Sequence, residues 1–255
     1  MKIAKILSIA LCLIMLLSLT ACFGGIMGDS DDEYKEPTTV KEYVEKVNEA
    51  MANAKVKITS TETKTINGIK APDETTVIYV DGKKSMSEDG LGTKTIIIDD
   101  TVFFLNETLG LKKKLTGAAA KAYAATIVLG IDETNSGAGA YKNSSFEKNS
   151  DGTVSLIFSS TSDGFNNLVD NITGGIGVPG GIELGESSQV VVIDKNYKIV
   201  SITQSDESST TVGSMTTEII IEKSKMFKYD DTISVTAPAD ADDFQEIASI
   251  ADLYN

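Results

Sequence analysis

The apolar positions of the chain change period several times, and each change predicts an element. Residues 6–19 hold almost nothing but apolar and small side chains, preceded by Lys2 and Lys5. The run is short for a membrane span of roughly 20 residues. Its charged start and small-residue end predict a cleavable export signal over 1–21. Over 22–37 glycine and acids replace the apolar residues, which predicts a solvated tether. Asp29, Asp31 and Glu33 have the spacing of a calcium loop, but Tyr34 stands where that loop needs glycine. From 38 onward Val40, Val44, Val47, Met51 and Ala54 recur every three or four residues. Thr39 with Glu42 three residues on is a capping box, so an amphipathic helix is expected to start there and to pack on a sheet.

At Lys55 the period drops to two. Stretches rich in Thr, Val and Ile over 55–66, 74–80, 83–88, 93–98 and 101–106 are separated by Asn67-Gly68, Asp81-Gly82, Gly90 to Gly92 and Asp99-Asp100. Short alternating runs joined by such turns predict an antiparallel meander. The alanine-rich stretch 116–129 predicts a second helix between Gly117 and Gly130. Strands are expected again over 153–159, 189–193, 198–204 and 211–225. A short helix is expected over 163–172, an edge segment over 234–238 and a terminal helix over 240–253. These elements give an α+β fold.

Composition narrows the chemistry. All 23 basic residues are lysine, against 37 acidic residues and a formal net charge of −14. Nucleic-acid binding needs basic surface to replace counterions, so it is excluded. There is no histidine and no tryptophan, and the only cysteines are Cys12 and Cys22. Catalytic triads built on histidine and His- or Cys-based metal sites are therefore absent. Neither a cofactor nor a metal is expected.

Several motifs match by letters alone. Gly175, Gly177 and Gly180 satisfy the dinucleotide fingerprint, but Pro179 sits inside it and no helix opens on it. A glycine-rich flap is the better reading. The pairs Asp99-Asp100, Asp230-Asp231 and Asp242-Asp243 read as turn chemistry, with nothing to set two carboxylates across a cleft. Lys112, Lys113 and Lys114 form the only basic cluster, open either to a phosphate or headgroup or to plain solvation. No catalytic residue is expected, and the chain reads as a protein other than an enzyme.

Leu19, Thr20, Ala21 and Cys22 resemble the lipobox of bacterial lipoproteins. The resemblance implies cleavage between Ala21 and Cys22 and a diacylglyceryl (palmitate-type) anchor on Cys22. It would hold the body on the extracytoplasmic face of the cell membrane. Two acyl chains suffice for stable anchoring, at roughly 0.8 kcal/mol per buried CH₂. The body also carries Glu49 to Lys55 at the end of the first helix, Tyr79 to Lys83 at a strand-turn, and Ala237 to Asp240 near its end. In these and in its order of elements it resembles the Lol-type lipoprotein carriers. That group includes the mycobacterial LppX/LprG lipoproteins and related lipoproteins of low-GC Gram-positive bacteria.

The resemblance implies a single domain over 38–255, a curved antiparallel half-barrel with helices covering its concave face. It further implies a hydrophobic ligand, a lipid or acyl chain, as the partner besides the membrane. Ile97, Phe103, Leu105, Leu156, Phe158, Ile219 and Ile221 are the candidate lining residues, on an assumed strand parity that one slip in register reverses. The alternative is a non-catalytic envelope interaction module without a ligand cavity, for which no partner protein is indicated.

Overall fold

The computed structural model describes residues 36–90, 92–124, 143–160, 182–212 and 215–253. The leader, Ala21, Cys22, the tether up to residue 35, the helix expected over 163–172 and the glycine-rich stretch up to 181 lie outside the described residues.

Helix α1 (Val40–Met51) starts where the capping pattern places it. Thr39 Oγ1 accepts from the Glu42 amide at 3.2 Å, and Glu42 Oε2 accepts from the Thr39 and Thr38 amides at 3.2 and 2.7 Å. Tyr43, Val44, Val47 and Met51 are buried along one face. A helix this short is marginal alone, so its stability comes from docking that face. Each buried apolar side chain contributes roughly 1.5–3 kcal/mol of transfer free energy.

One large curved sheet makes up most of the fold. Its strands are β1 (Lys55–Ile66), β2 (Ile69–Lys70), β3 (Glu74–Asp81), β4 (Lys84–Asp89), β5 (Lys94–Ile98), β6 (Thr101–Asn106) and β7 (Leu111–Thr116). Helix α2 (Gly117–Ala124) follows, then β8 (Asn143–Lys148), β9 (Val154–Ser160), β10 (Ile182–Ile193), β11 (Ile199–Val212), β12 (Met215–Tyr229) and β13 (Gln245–Glu246). The spatial order is β13-β7-β6-β5-β4-β3-β1-β12-β11-β10-β9-β8, with β2 paired to β1. Every pairing is antiparallel except the two-residue contact of β13 with β7. Asn67 and Gly68 both have positive φ, 49° and 78°, as a two-residue hairpin turn requires.

Both helices pack on the same face of this sheet, called here the helical face. α1 sits over Leu156, Phe158, Val191, Ile193, Ile199 and Ile202. α2 sits over Ile97, Val102, Phe104 and Leu115, with Tyr123 edge-on to Phe104 at 5.4 Å between ring centroids.

Three sequence expectations change. The long strand expected over 211–225 divides, because β11 ends at Val212 and pairs with Met215 at the start of β12. The polar strand β8 was not expected; only Phe146 on it is half-buried, so it carries no apolar alternation. The terminal helix is absent. Residues 240–253 form two 3₁₀ turns, Ala241–Asp243 and Ile250–Asp252, on either side of β13. The reason is packing: Val235 and Phe244 are buried against Phe103 and Ile96 on one face, whereas Ile247 and Leu253 are buried beside α2 on the other. The tail wraps around the β7 edge, and a continuous helix cannot serve both faces.

Candidate functional site

Register fixes which side chains share the helical face. Ile97 of β5 pairs with Val102 of β6, and Ile96 pairs with Phe103. Ile97 is therefore on the helical face, while Phe103 and Leu105 are on the opposite face. There Phe103 packs edge-on against Phe244 at 5.3 Å. The seven candidate lining residues thus do not share one surface. Leu156 and Phe158 are on the helical face but are packed beneath α1. Ile219 and Ile221 are on the same face, farther along β12, paired with Ile66 and Lys64 of β1.

Between the two helices the helical face carries an apolar strip that is buried in the folded chain, with Val56, Ile58 and Val80 at most 5% exposed. Val56 and Ile58 of β1 pair with Val80 and Ile78 of β3, and with Tyr229 and Phe227 of β12. These residues form a cluster of strand side chains that meets the α1 cluster through Phe227 and Tyr229. Sequence reading missed it, although the signal was present. Alternation puts Val56 with Ile58 on one side of β1 and Ile78 with Val80 on one side of β3, and the register of β1 against β3 brings the two pairs together.

One step along the strands the face turns polar. The row beyond Phe227 and Ile58 runs Ile202, Lys225, Ser60, Thr76. The next runs Phe158, Gln189, Gln204, Lys223, Glu62, Glu74. Lys223 Nζ lies 3.2 Å from Glu62 Oε2, and Lys64 Nζ lies 3.0 Å from Glu62 Oε1 and 3.5 Å from Glu74. The Lys64 contact to Glu62 Oε1 is close but poorly aligned. The Glu62 side chain is only 16% exposed, and burial pushes its carboxyl up. The two lysines outweigh that effect and hold it below its ordinary value. Farther along, Asp206 accepts from Ser187 Oγ at 2.6 Å and Gln204 Nε2 at 2.7 Å. Ser160, in the same row as Ser187, is buried with no hydrogen-bond partner for its hydroxyl among the described residues.

Lys225 differs from its neighbours. It is half-buried and has no ion-pair or hydrogen-bond partner among the described residues. Burial lowers its pKa, and the Lys223 charge lowers it further.

The basic cluster of the sequence has a different task. Lys113 is buried on the helical face and donates to the Asp252 carbonyl at 2.8 Å. Lys112 pairs with Asp240, and Lys114 donates to the Ala241 carbonyl at 3.3 Å. The three lysines clamp the C-terminal tail from both sides of β7. Among the described residues no group of acidic side chains is arranged to hold a metal.

A concavity lies on the opposite face. It is a shallow groove of about 340 Å³ lined by Thr61, Thr63, Ser188, Val190, Thr203 and Ser224.

No family model matches the chain, and no curated protein matches it. Among solved structures it is similar to LprF from Mycobacterium bovis, with a TM-score of 0.36, 12% identity, and coverage of 78% of this chain and 97% of that one. It is similar to a LolA superfamily protein from Nitrosomonas europaea, with a TM-score of 0.31, 6% identity, and coverage of 77% and 96%. A putative outer membrane lipoprotein-sorting protein domain from Vibrio parahaemolyticus gives a TM-score of 0.32, 12% identity, and coverage of 77% and 95%. These come from the lipoprotein group that the sequence resembles. At TM-scores of this size the likeness adds nothing to what strand order and register show.

Proposed function

We propose that the chain is a membrane-anchored envelope lipoprotein that binds a hydrophobic ligand, a lipid or acyl chain, without catalysing a reaction. The observation that carries the reading is the apolar strip of Val56, Ile58, Ile78 and Val80 on the helical face between α1 and α2. In this reading the helical face is the concave side of a half-barrel over 38–255, and the helices cover its two ends. Cys22 carries the acyl anchor, and a chain taken from or delivered to the membrane displaces what buries this strip. Burial of apolar surface drives such binding at roughly 25 cal/mol per Å².

Lipid extraction tests the proposal. The full chain is purified from membranes in a detergent without an acyl tail, then extracted with organic solvent. A stoichiometric acyl species beyond the covalent anchor is expected. Its absence, with no uptake when lipid is added, overturns the reading.

The groove on the opposite face favours a second reading, an interaction module. Ile220 and Met226 of β12 are exposed on that same face, 37% and 55%. In that case a partner protein is captured through this face and substitutions in the Val56–Val80 strip leave the capture unchanged.

A further inference from the structure

The groove on the opposite face is built by register. Thr61, Ser224, Thr203 and Val190 pair in one row across β1, β12, β11 and β10. Thr63, Glu222, Ser205 and Ser188 pair in the next. Strands lie about 4.8 Å apart and alternate residues about 7 Å apart, so the two rows make a straight floor of mostly small side chains. Along β12 the same face continues with Ile220 on one side of the floor and Met226 on the other, both exposed. Small residues between two large rims leave a concavity of about 340 Å³.

Six of these eight floor positions carry a hydroxyl. The Thr63 hydroxyl donates to Asp73 at 2.6 Å. The other five have no hydrogen-bond partner among the described residues. Glu222 is exposed and has no ion pair among them. Lys223 and Gln204 also border the groove, but their side chains are engaged on the helical face by Glu62 and Asp206. The floor therefore presents rows of hydroxyls and one carboxylate, and no ammonium.

We propose that this groove binds a neutral, extended glycan chain laid across the four strands. Each floor hydroxyl both donates and accepts, as each sugar hydroxyl does, so the two arrays can pair in either sense. The apolar rims Ile220 and Met226 can cover the C–H faces of the rings. Charge selects a neutral chain: Glu222 in the floor and the exposed Glu207, paired with Ile220 at the rim, repel a polyanion, in a protein of net charge −14. A peptide cannot add here as a strand, because β1, β12, β11 and β10 are interior and their backbones pair with one another. This use of the opposite face is independent of the ligand-binding reading of the helical face.

The full chain, in a detergent free of sugar groups, is titrated calorimetrically with chitohexaose and with the hexamer of galacturonic acid, which bears a carboxylate on every ring. Chitohexaose is expected to bind with a Kd below about 1 mM, and the acidic hexamer at least about 10-fold more weakly. Thr61→Val and Thr203→Val each remove one hydroxyl at nearly constant shape. Each is expected to weaken chitohexaose by about 2–10-fold, the scale of one neutral hydrogen bond. Thr203→Ser keeps the hydroxyl and is expected to bind as the natural chain does, which separates loss of the hydroxyl from loss of fold.

No binding of chitohexaose at millimolar concentration overturns the proposal, as does binding that both valine substitutions leave unchanged. Equal or tighter binding of the acidic hexamer overturns the neutral ligand. A partner protein held by this face in a chain that takes up no chitohexaose overturns the glycan in favour of the interaction module.

Discussion

The phenol oxygen of Tyr229 lies 3.1 Å from the sulfur of Met51 and donates to the Ile199 carbonyl at 2.8 Å. The last residue of β12 is thereby tied to the last residue of α1. Burial raises the phenol's pKa, as does the nearby Asp194 charge, so the group stays a neutral donor. Tyr229→Phe keeps the ring and its packing but leaves the Ile199 carbonyl unpaired. It is expected to lower unfolding free energy by about 1–3 kcal/mol in urea denaturation. Met51→Ala opens a cavity at a fully buried position and is expected to cost about 2–5 kcal/mol. Because the two side chains touch, the double variant should lose less than the sum.

Glu62 gives the fold an acid-sensitive joint. Its folded pKa lies below the ordinary value of 4.5, so its contribution is complete above that value. The contribution is lost as pH falls through the lower, folded pKa. Lys64 has the opposite sign. Burial lowers its pKa, but bonds and charges of Glu62 and Glu74 outweigh this and raise it above 10.5. Its contribution is present below 10.5 and is lost as pH rises through the folded value. Urea midpoints of the natural chain are expected to fall more steeply below pH 4.5 than those of Glu62→Gln. Parallel slopes for the two proteins would remove Glu62 from the account.

How much of this was legible depends on whether the information is local. The start of α1 was readable because Thr39 and Glu42 are three residues apart and cap each other. The hairpins were readable because Asn67-Gly68 demands positive φ at both positions. Face assignment was readable in part and was misread. A two-residue turn at Asp99-Asp100 sets Ile98 against Thr101, hence Ile97 against Val102 and not beside Phe103. The tail was not readable, because its path depends on a contact between Phe244 and Phe103 that no local pattern encodes. The same holds for β8, a polar strand given its place by its register with β9. Lys225 was invisible for a related reason. Its isolation follows from Lys223 and Lys64 both choosing Glu62.

The lysine clamp makes the C-terminal tail removable in steps. Lys113 is buried and bonds a carbonyl of the last turn, so Lys113→Met should loosen residues 247–253. A charged hydrogen bond of this kind contributes about 1.5–3 kcal/mol. Amide exchange at Ile247, which donates to the Lys114 carbonyl at 2.9 Å, is expected to accelerate accordingly. Lys112→Met removes an exposed ion pair with Asp240 and should change exchange far less. Equal effects of the two substitutions would contradict the burial argument.

Gly185 marks a place where two strands approach too closely for a side chain. A Cβ there would sit 2.9 Å from Glu207 Cβ and 3.1 Å from its carbonyl oxygen. The register of β10 against β11 also shifts between Leu184 and Ser187. Gly185→Ala must push β10 and β11 apart at this irregularity, at a cost of about 1–3 kcal/mol. The destabilisation should appear in urea unfolding. Crosslinking of cysteines introduced at the paired positions Gln189 and Gln204 should persist, because their register lies beyond the shift.

The anchor is testable apart from everything the sheet does. If Cys22 carries the acyl chains, Cys22→Ser removes the only thiol available for the thioether, because the remaining cysteine, Cys12, lies within the leader. Two changes are then expected together. Incorporation of labelled palmitate should fall to background, and a precursor that retains residues 1–21 should accumulate, since cleavage of such leaders follows acylation of the cysteine. The membrane-bound fraction alone is a poor measure, because a retained apolar leader holds the chain in the membrane as well. The discriminating readout is therefore mass. The natural chain should begin at Cys22 with a mass excess of about two to three acyl chains, enough for a stable anchor where one chain binds only marginally. An unmodified chain beginning at Cys22, found in the medium, would make the leader an ordinary secretory signal and would remove the membrane from the function while leaving the sheet and its apolar face untouched.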